Sequence, residues 1–258
     1  MEGIGSSRMG KASIRFYAEL CDLVGEPSGR IEREFLGSPG VKDLIEACGV
    51  PHTEVDLVLV NGESVDFSYR ISNGDRISVY PVFEAFDVGD ISTVGASPLR
   101  VTRFVLDVHL GKLARFLRLL GFDAVYSPER DDADLVEDSL EANRILLTRD
   151  RELLKHGRLT HGSYIRATDP AEQMVEVVRR FHLEGAIAPF TRCPNCNGLL
   201  DPVDKAKVLD QIEPGTRRTY DEFWRCRDCG QIYWRGAHFG DLERLVELAR
   251  SAGTEGDA

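Results

Sequence analysis

Residues 101–121 read VTRFVLDVHLGKLARFLRLLG, and this stretch decides the fold of the middle of the chain. Its first part, Val101–Leu106, is an apolar run of the length and composition of a buried strand. Asp107 follows at once, and leucines then recur three and four residues apart, at positions 110, 113, 117 and 120. That spacing predicts a helix with one face turned towards a core. A strand followed directly by an amphipathic helix is the building unit of an α/β domain.

Strand and helix signals keep alternating as far as residue 185. Further strands are predicted at Phe122–Tyr126, Arg144–Thr148 and Ser163–Ala167. A helix is predicted to begin after Asp169, because Pro170 and Glu172 are typical of a first helical turn. The alternation predicts a parallel sheet flanked by helices over residues 101–188.

The segment before it, residues 1–87, has a different pattern. Its predicted strands are Ala12–Ala18, Arg30–Phe35, Val55–Val60 and Arg76–Val82, with a helix at Val41–Ala47 and a turn at Asn61-Gly62. The order strand, strand, helix, strands predicts a β-grasp fold. Glycine, serine and proline in residues 88–100 predict a linker.

The β-grasp segment resembles the ubiquitin-like sulfur carriers of the MoaD/ThiS type. Those carriers end in a free Gly-Gly, whereas here the chain runs on through Val82-Phe83-Glu84-Ala85-Phe86-Asp87. With no terminal carboxylate to adenylate, the sequence argues against sulfur transfer. Recruitment of a protein partner is an alternative role for this segment.

The charge of the chain is uneven. The formal net charge is −11 for 258 residues, and residues 1–97 carry −8 of it, with 8 basic and 16 acidic side chains. Such an acidic chain is not typical of a non-specific DNA-binding protein, although basic faces can exist in the other two thirds. No apolar run approaches the ~18 residues of a membrane span, and Met1–Lys11 has no apolar core of a signal peptide. We therefore expect a soluble, cytoplasmic protein without a membrane partner.

Two carboxylates are predicted to lie at one edge of the parallel sheet. Asp107 and Asp150 each follow a predicted strand, and the carboxyl ends of such strands are where α/β sheets bind ligands. A third carboxylate is expected from Asp131, Asp132 or Asp134. Converging carboxylates suit Mg²⁺ or Mn²⁺, which can direct water onto a phosphodiester. The alternative is that an aspartate after a strand only caps the next helix, as Asp150 can cap Arg151–His156.

A basic stripe is predicted beside Asp107. Lys112, Arg115 and Arg118 are spaced by three residues on the helix whose other side carries the leucines. A basic face next to an acidic, metal-holding cleft suits a polyanion such as RNA. The alternative is an ordinary solvated helix face.

Four cysteines form two Cys-x-x-Cys pairs, Cys193 with Cys196 and Cys226 with Cys229, separated by 29 residues. Four thiolates at this spacing favour tetrahedral Zn²⁺ over disulfides in a reducing compartment. Four protein ligands leave no open position, so we expect a structural role within residues 189–250. Trp224 and Tyr233 are expected to pack over the cysteine turns, while Arg217 and Arg218 are better candidates for RNA contact.

Taken together, these motifs resemble the RNase domain at the C-terminus of the mutator-seven exonuclease. The resemblance is carried by Asp107-x-x-Leu110-Gly111-Lys112-Leu113-Ala114-Arg115-x-Leu117-Arg118, Asp132-x-x-Leu135, Arg144-x-Leu146-Leu147-Thr148-Arg149-Asp150, Asp169-x-x-Glu172-Gln173, Cys193-x-x-Cys196-Asn197 and Cys226-x-x-Cys229-Gly230-x-x-Tyr233-Trp234. It implies a PIN-like nuclease fold with a zinc ribbon, preceded by a ubiquitin-like domain as in bacterial members. It also implies Asp107, Asp132 and Asp150 as the acidic site, with Glu141 as a further metal ligand to consider.

The resulting hypothesis is a divalent-metal-dependent ribonuclease whose substrate is held by Lys112, Arg115, Arg118 and Arg149. The alternative is a non-catalytic protein that binds RNA or the ribosome and uses the PIN-like domain and the ribbon as a platform. Nuclease activity that needs Asp107 distinguishes the first hypothesis from the second.

Overall fold

The computed structural model describes residues 9–81, 94 and 101–252. By its internal contacts the chain divides into two compact units. The first is Met1–Leu99 together with Asp150–Tyr164, and the second is Arg100–Arg149 together with Ile165–Ala258. The domain bounds expected from the sequence stay a prediction, and they do not anticipate that Asp150–Tyr164 groups with the N-terminal unit.

The first unit has the β-grasp fold that the sequence predicts. Its strands are β1 (Met9–Phe16), β2 (Arg30–Leu36), β3 (Val55–Val60), β4 (Glu63–Ser64) and β5 (Arg76–Pro81), and its helices are α1 (Leu20–Val24) and α2 (Val41–Ala47). The strand order is β2-β1-β5-β3-β4. β1 is antiparallel to β2 and parallel to β5, while β3 is antiparallel to β5. The helix α1 has no counterpart among the elements predicted from the sequence.

Alternation along the strands places one face of this sheet in the core. In β1, Ala12, Ile14 and Phe16 are each 1% exposed, and the residues between them face solvent. Asn61 and Gly62 have positive φ angles of 54° and 96° and form the turn between β3 and β4. This is the conformation that an Asn-Gly pair adopts readily, as predicted.

The second unit contains the predicted parallel sheet. Its strands β6 (Arg103–Leu106), β7 (Asp123–Tyr126) and β8 (Ile145–Thr148) are joined by the helices α3 (Gly111–Leu119) and α4 (Asp132–Glu141). β6 pairs in parallel with both β7 and β8. Leu113, Leu117 and Leu120 are completely buried, which confirms the core-facing stripe.

The segment that groups with the first unit, Asp150–Tyr164, contains α5 (Arg151–Leu154) and β9 (Gly162–Tyr164). The next helix, α6 (Pro170–Arg180), begins as predicted, because the Asp169 carboxylate accepts hydrogen bonds from the main-chain N–H groups of Ala171 and Glu172.

The cysteine-containing region has its own small sheet and core. Strands β10 (Leu200–Val203), β11 (Phe223–Cys226) and β12 (Ile232–Tyr233) are antiparallel and are accompanied by α7 (Pro214–Thr219) and α8 (Phe239–Ser251). The apolar cluster there consists of Val208, Ile212, Phe223 and Ile232. So small a core is typical of a region that depends on a bound metal.

The linker expected over residues 88–100 lies outside the described residues, apart from Val94, which packs against the core of the first unit. Within the described part of the chain, no helix has both the length and the apolar character that a membrane span needs.

Candidate functional site

Asp107 lies at the carboxyl end of β6, where the strand leads into a short 3-10 helix, Val108–Leu110. Its carboxylate does not cap that helix. Instead, Asp107 Oδ2 accepts a hydrogen bond of 2.7 Å from the hydroxyl of Thr148, at the end of β8. Asp107 is 6% exposed and Thr148 is completely buried. Two neighbouring strands thus hold this carboxylate at the sheet edge where ligands bind in α/β folds.

Asp150 is exposed and is the N-cap of α5. Its Oδ1 accepts hydrogen bonds from the main-chain N–H groups of Glu152 (2.8 Å) and Leu153 (3.4 Å). The capping role that the sequence left open is therefore present. It is compatible with metal binding, because a carboxylate has about four acceptor positions.

The candidates for a third carboxylate lie on or beside α4. Asp131 is the N-cap and accepts a hydrogen bond of 2.9 Å from Asp134 N, while Asp132 is the exposed first residue of the helix. Glu141 is the last residue of α4, nine positions later. At 1.5 Å per residue this separates Asp132 from Glu141 by about 13 Å along the helix. At most one of them can therefore bind a given ion.

Within residues 9–81, 94 and 101–252, one set of three or more histidine, cysteine, aspartate or glutamate side chains brings its ligand atoms within 4.8 Å of one another. Its members are Cys193, Cys196, Cys226 and Cys229. Asp107 and Asp132 do not belong to such a set. The carboxylate site stays a prediction, whereas the four cysteines do come together.

The distances between the sulfurs fit a zinc ion. Cys193 Sγ lies 3.7 Å from Cys229 Sγ, and Cys196 Sγ lies 3.4 Å from Cys226 Sγ. These separations are well beyond a disulfide bond of about 2.05 Å. A Zn–S bond of about 2.3 Å in tetrahedral geometry places the sulfurs about 3.8 Å apart. The four thiols therefore match a closed, four-cysteine zinc site of the structural kind.

The two cysteine pairs lie on matching turns. In the first, Asn197 N donates to the carbonyl oxygen of Cys193, and in the second, Gly230 N donates to that of Cys226, at 2.9 and 3.1 Å. Asn197 and Gly230 have φ angles of 74° and 73°. Glycine and asparagine adopt this left-handed conformation most readily, which explains their position directly after each Cys-x-x-Cys.

Tyr233 lies against the cysteine set, as expected from the sequence, and its hydroxyl oxygen is 3.0 Å from Cys193 Sγ. Burial acts to raise the pKa of Cys193, but the Tyr233 hydroxyl and the main-chain N–H groups of Cys196 and Asn195 lower it to about 7. Burial raises the pKa of Cys196 to about 12.

The structure divides the predicted basic stripe. Lys112 and Arg115 are exposed, but Arg118 is only 4% exposed, so the expectation that it lies on the solvated face is wrong. Each step of three residues along an α-helix turns the side-chain direction by about −60°. Arg118, two such steps after Lys112, therefore points about 120° away from it around the helix axis. There its Nε donates to Ala124 O (2.8 Å) and its Nη1 to the carbonyl oxygens of the first cysteine turn.

Arg149, the remaining predicted RNA contact, is half-buried between β8 and α5. Its guanidinium donates to the carbonyl oxygen of Ala167. This bond orients the side chain, and a role in RNA binding stays a prediction.

Asp123, at the start of β7, was not singled out from the sequence. It accepts two hydrogen bonds from Arg144 (2.7 and 3.2 Å) and one of 2.8 Å from Asn197 Nδ2. Burial acts to raise the pKa of Asp123, but the hydrogen bonds from Arg144 and Asn197 lower it below its ordinary value. Arg144 and Asn197 both belong to the sequence motifs that resemble the RNase domain. The sequence analysis did not identify Asp123 as the carboxylate to which both donate.

These features define an α/β domain with a buried aspartate at the carboxyl edge of its parallel sheet and a ribbon whose four clustered cysteines could hold a metal ion. A ubiquitin-like β-grasp domain precedes it in the chain. The model of the Mut7-C RNAse domain matches residues 102–246, and the model of the Mut7-C ubiquitin domain matches residues 9–87. The first match covers more than half of the chain, which therefore belongs to the Mut7-C RNase domain family.

Solved structures with some likeness include a molybdopterin converting factor, subunit 1, from Pyrococcus furiosus, at 24% identity and a TM-score of 0.24 over 28% of this chain and 97% of that one. SAMP1 from Haloferax volcanii has 18% identity and a TM-score of 0.26 over 30% of this chain and 100% of its own. At these TM-scores neither likeness bears on function. A search of the curated proteins gives no match.

Proposed function

We propose that this protein is a divalent-metal-dependent ribonuclease that hydrolyses RNA phosphodiesters. Membership of the family supports an RNase-type function. The observation that supports the finer proposal is the Asp107 carboxylate, which is buried at the carboxyl edge of β6 and hydrogen-bonded by Thr148. A buried carboxylate is costly unless hydrogen bonds or a cation compensate its charge. Mg²⁺ and Mn²⁺ are cations that prefer oxygen ligands such as carboxylates.

Asp107, Asp132 and Asp150 would hold the ion. When bound, it would supply a water molecule of lowered pKa and neutralise charge on the scissile phosphate. In this proposal Thr148 fixes the orientation of Asp107. Its hydroxyl donates to one carboxylate oxygen, and the Thr148 side chain is itself completely buried and therefore restricted by its neighbours. Asp132 and Asp150, at the first turns of α4 and α5, would complete the ligand set.

Lys112 and Arg115 would hold the RNA. Both are exposed on α3, which begins only a few residues after Asp107. Their charges would contact phosphates without regard to base sequence, so binding should weaken as salt rises. Arg149, next to Asp150 in the chain, is a further contact in this proposal. Arg118 is not an RNA contact in this proposal, because its side chain is buried.

Zinc is the proposed occupant of the four-cysteine set, with a structural role. The thiols need a reducing compartment to stay available to the metal, so a cytoplasmic location belongs to the same proposal.

A non-catalytic platform for RNA or the ribosome is the second candidate. It is favoured by two observations: Asp150 already serves as a helix cap, and the carboxylates form no ligand set like that of the cysteines among the described residues. In that case Lys112 and Arg115 would bind RNA and no cleavage would follow.

The test is cleavage of single-stranded RNA by the full chain with Mn²⁺, Mg²⁺ or EDTA, compared with Asp107→Asn. Loss of the metal contribution, worth several kcal/mol, should lower the rate by about a hundredfold or more in the variant. Asp169→Asn is the matched control, because this exposed aspartate caps α6 and asparagine caps equally well. RNA binding without cleavage, unchanged by Asp107→Asn, would favour the platform.

A further inference from the structure

The segment Asp150–Tyr164 lies within residues 102–246, which match the RNase domain, yet its contacts place it with the β-grasp domain. Tyr164 packs against the apolar core that the β-grasp strands and α2 form. The segment starts with Asp150, a proposed metal ligand. What holds this segment therefore bears on the position of that aspartate.

Glu54 holds the end of the segment. It is the last residue of a short 3-10 helix, His52–Glu54, and it is 0% exposed. Its Oε1 accepts a hydrogen bond of 2.6 Å from Tyr164 N. A carboxylate buried in this way is stable only with such partners, so the bond is a strong one.

His52 holds the middle of the segment. Its Nε2 lies 2.9 Å from the carbonyl oxygen of Leu159, and its Nδ1 lies 2.7 Å from Glu46 Oε1. The ring is 9% exposed and packs edge-on against Phe67, with 5.9 Å between the ring centroids. Leu159 itself is 1% exposed, so water does not readily replace this contact.

Arg151 holds the beginning of the segment. Its Nη1 donates a hydrogen bond of 2.7 Å to the carbonyl oxygen of Leu23, near the end of α1. Its guanidinium also lies over the ring of Tyr164, 5.0 Å from the centroid. The segment is thus tied to the β-grasp domain at both ends and in the middle.

We propose that the β-grasp domain is a clamp on the segment Asp150–Tyr164, which belongs to the same compact unit: Glu54 and His52 hold the main chain of this segment and thereby fix the position of Asp150 within that unit. The clamp itself is inferred from buried polar contacts, which are costly to break. Only its last step, the effect on Asp150 as a metal ligand, rests on the proposed function. Glu54 is in this sense a positioning residue.

The experiment is hydrogen–deuterium exchange on the full chain, read from peptides that cover residues 150–164, for the wild type, Glu54→Leu and Glu54→Gln. Leucine removes the acceptor for Tyr164 N, whereas glutamine keeps a carbonyl oxygen there. A hydrogen bond to a charged group corresponds to about ten- to a hundredfold in a local opening equilibrium. We expect exchange in this segment to accelerate by about tenfold or more in Glu54→Leu and to be largely restored in Glu54→Gln.

A second variant keeps the test valid if Glu54→Leu unfolds the whole first unit. Arg151→Met keeps the length of a half-buried side chain but removes its bond to Leu23. The matched control is Lys155→Met on the same segment, because the Lys155 ammonium pairs with Glu152 of α5, 2.7 Å away. Arg151→Met should accelerate exchange in residues 150–164, and Lys155→Met should not. Wild-type exchange in both Glu54→Leu and Arg151→Met would overturn the clamp.

Cleavage of RNA with Mn²⁺ separates the clamp from the proposed function. The rate should fall in Glu54→Leu and recover in Glu54→Gln. An active wild type whose Glu54→Leu variant has a loosened segment and an undiminished rate would overturn the effect on Asp150. A wild type that does not cleave RNA would overturn the proposed function, and the exchange rates alone would then decide the clamp.

Discussion

Arg118 Nη1 donates a hydrogen bond of 3.0 Å to the carbonyl oxygen of Asn195, inside the first Cys-x-x-Cys turn. The same nitrogen donates to Pro194 O at 3.1 Å, and Nε donates to Ala124 in β7. One side chain of α3 thus joins the parallel sheet to the first cysteine turn. Of the basic residues on α3, Arg118 therefore stabilises the structure, and Lys112 and Arg115 are the ones that face solvent.

Arg118 and Arg115 should respond in opposite ways to substitution. Arg118→Met should lower the free energy of unfolding by roughly 1.5–3 kcal/mol, because it removes a charged donor from three carbonyl oxygens, of which that of Ala124 is buried. Arg115→Glu should leave the stability within about 0.5 kcal/mol of the wild type and weaken RNA binding at low salt. Urea unfolding and fluorescence anisotropy with labelled RNA measure the two effects. Equal RNA affinity for Arg115→Glu and the wild type would reject a binding role for this face.

The four-cysteine set should hold one zinc ion per chain. Cys226→Ser should lose that ion and leave residues 190–245 open to proteolysis, because a structural zinc site contributes ~10 kcal/mol or more to folding. Metal analysis and limited proteolysis are the measurements. Cys21→Ser is the control, since Cys21 lies outside the set and its thiol donates to the carbonyl oxygen of Phe16. Zinc-free wild-type protein with an intact ribbon would contradict the prediction.

The Thr148 hydroxyl should contribute both to the stability of the fold and to RNA cleavage, because it donates to Asp107. Thr148→Val keeps the shape but removes the donor to the buried Asp107 carboxylate, so the free energy of unfolding should fall by about 1–3 kcal/mol. Thr148→Ser keeps the donor and should recover most of the RNA cleavage that Thr148→Val loses. Thermal melting and cleavage rates are compared for the three proteins. If the valine and serine variants behave alike, the hydrogen bond does not orient Asp107.

Asp150 can be tested as a cap and as a ligand at once. Asp150→Ala should cost ~0.5–2 kcal/mol from loss of the cap, whereas Asp150→Asn should change the metal-free stability little. Mn²⁺ should raise the melting temperature of the wild type by binding the native state, and should raise that of Asp150→Asn less. Thermal melting with and without Mn²⁺ gives all these values. An equal shift in the wild type and both variants would show that Asp150 is a cap and not a ligand.

Much of the fold could be predicted, since its signals are local. The bounds of Val41–Ala47 and Val55–Val60 are found as predicted, and α6 begins at its Asp-Pro signal. The helix α1 was missed because its five residues are too few to show a periodic pattern. The burial of Arg118 was missed for another reason. An arginine at the flank of a helical stripe is buried only if another part of the chain covers it.

The site could be predicted only in part. The cysteine set follows from spacing, because two Cys-x-x-Cys pairs already define most of a tetrahedral ligand geometry. The carboxylates come from separate strands and helices, and no local spacing relates them. Asp123 went unnoticed because nothing in its neighbours shows that Arg144 and Asn197 reach it from 21 and 74 residues away.

The sequence by itself determined the β-grasp, the alternating α/β domain, the two cysteine turns and the place of Asp107 at a strand end. These features depend on residues that are close in the chain, where periodicity and turn chemistry act directly. Only the tertiary structure decided that the Thr148 hydroxyl donates to Asp107 and that Arg118 donates to the first cysteine turn. It also decided that Glu54 and His52 contact the main chain of Asp150–Tyr164. These depend on buried polar groups that must find partners far along the chain, and which partner each one finds is a property of the packed molecule.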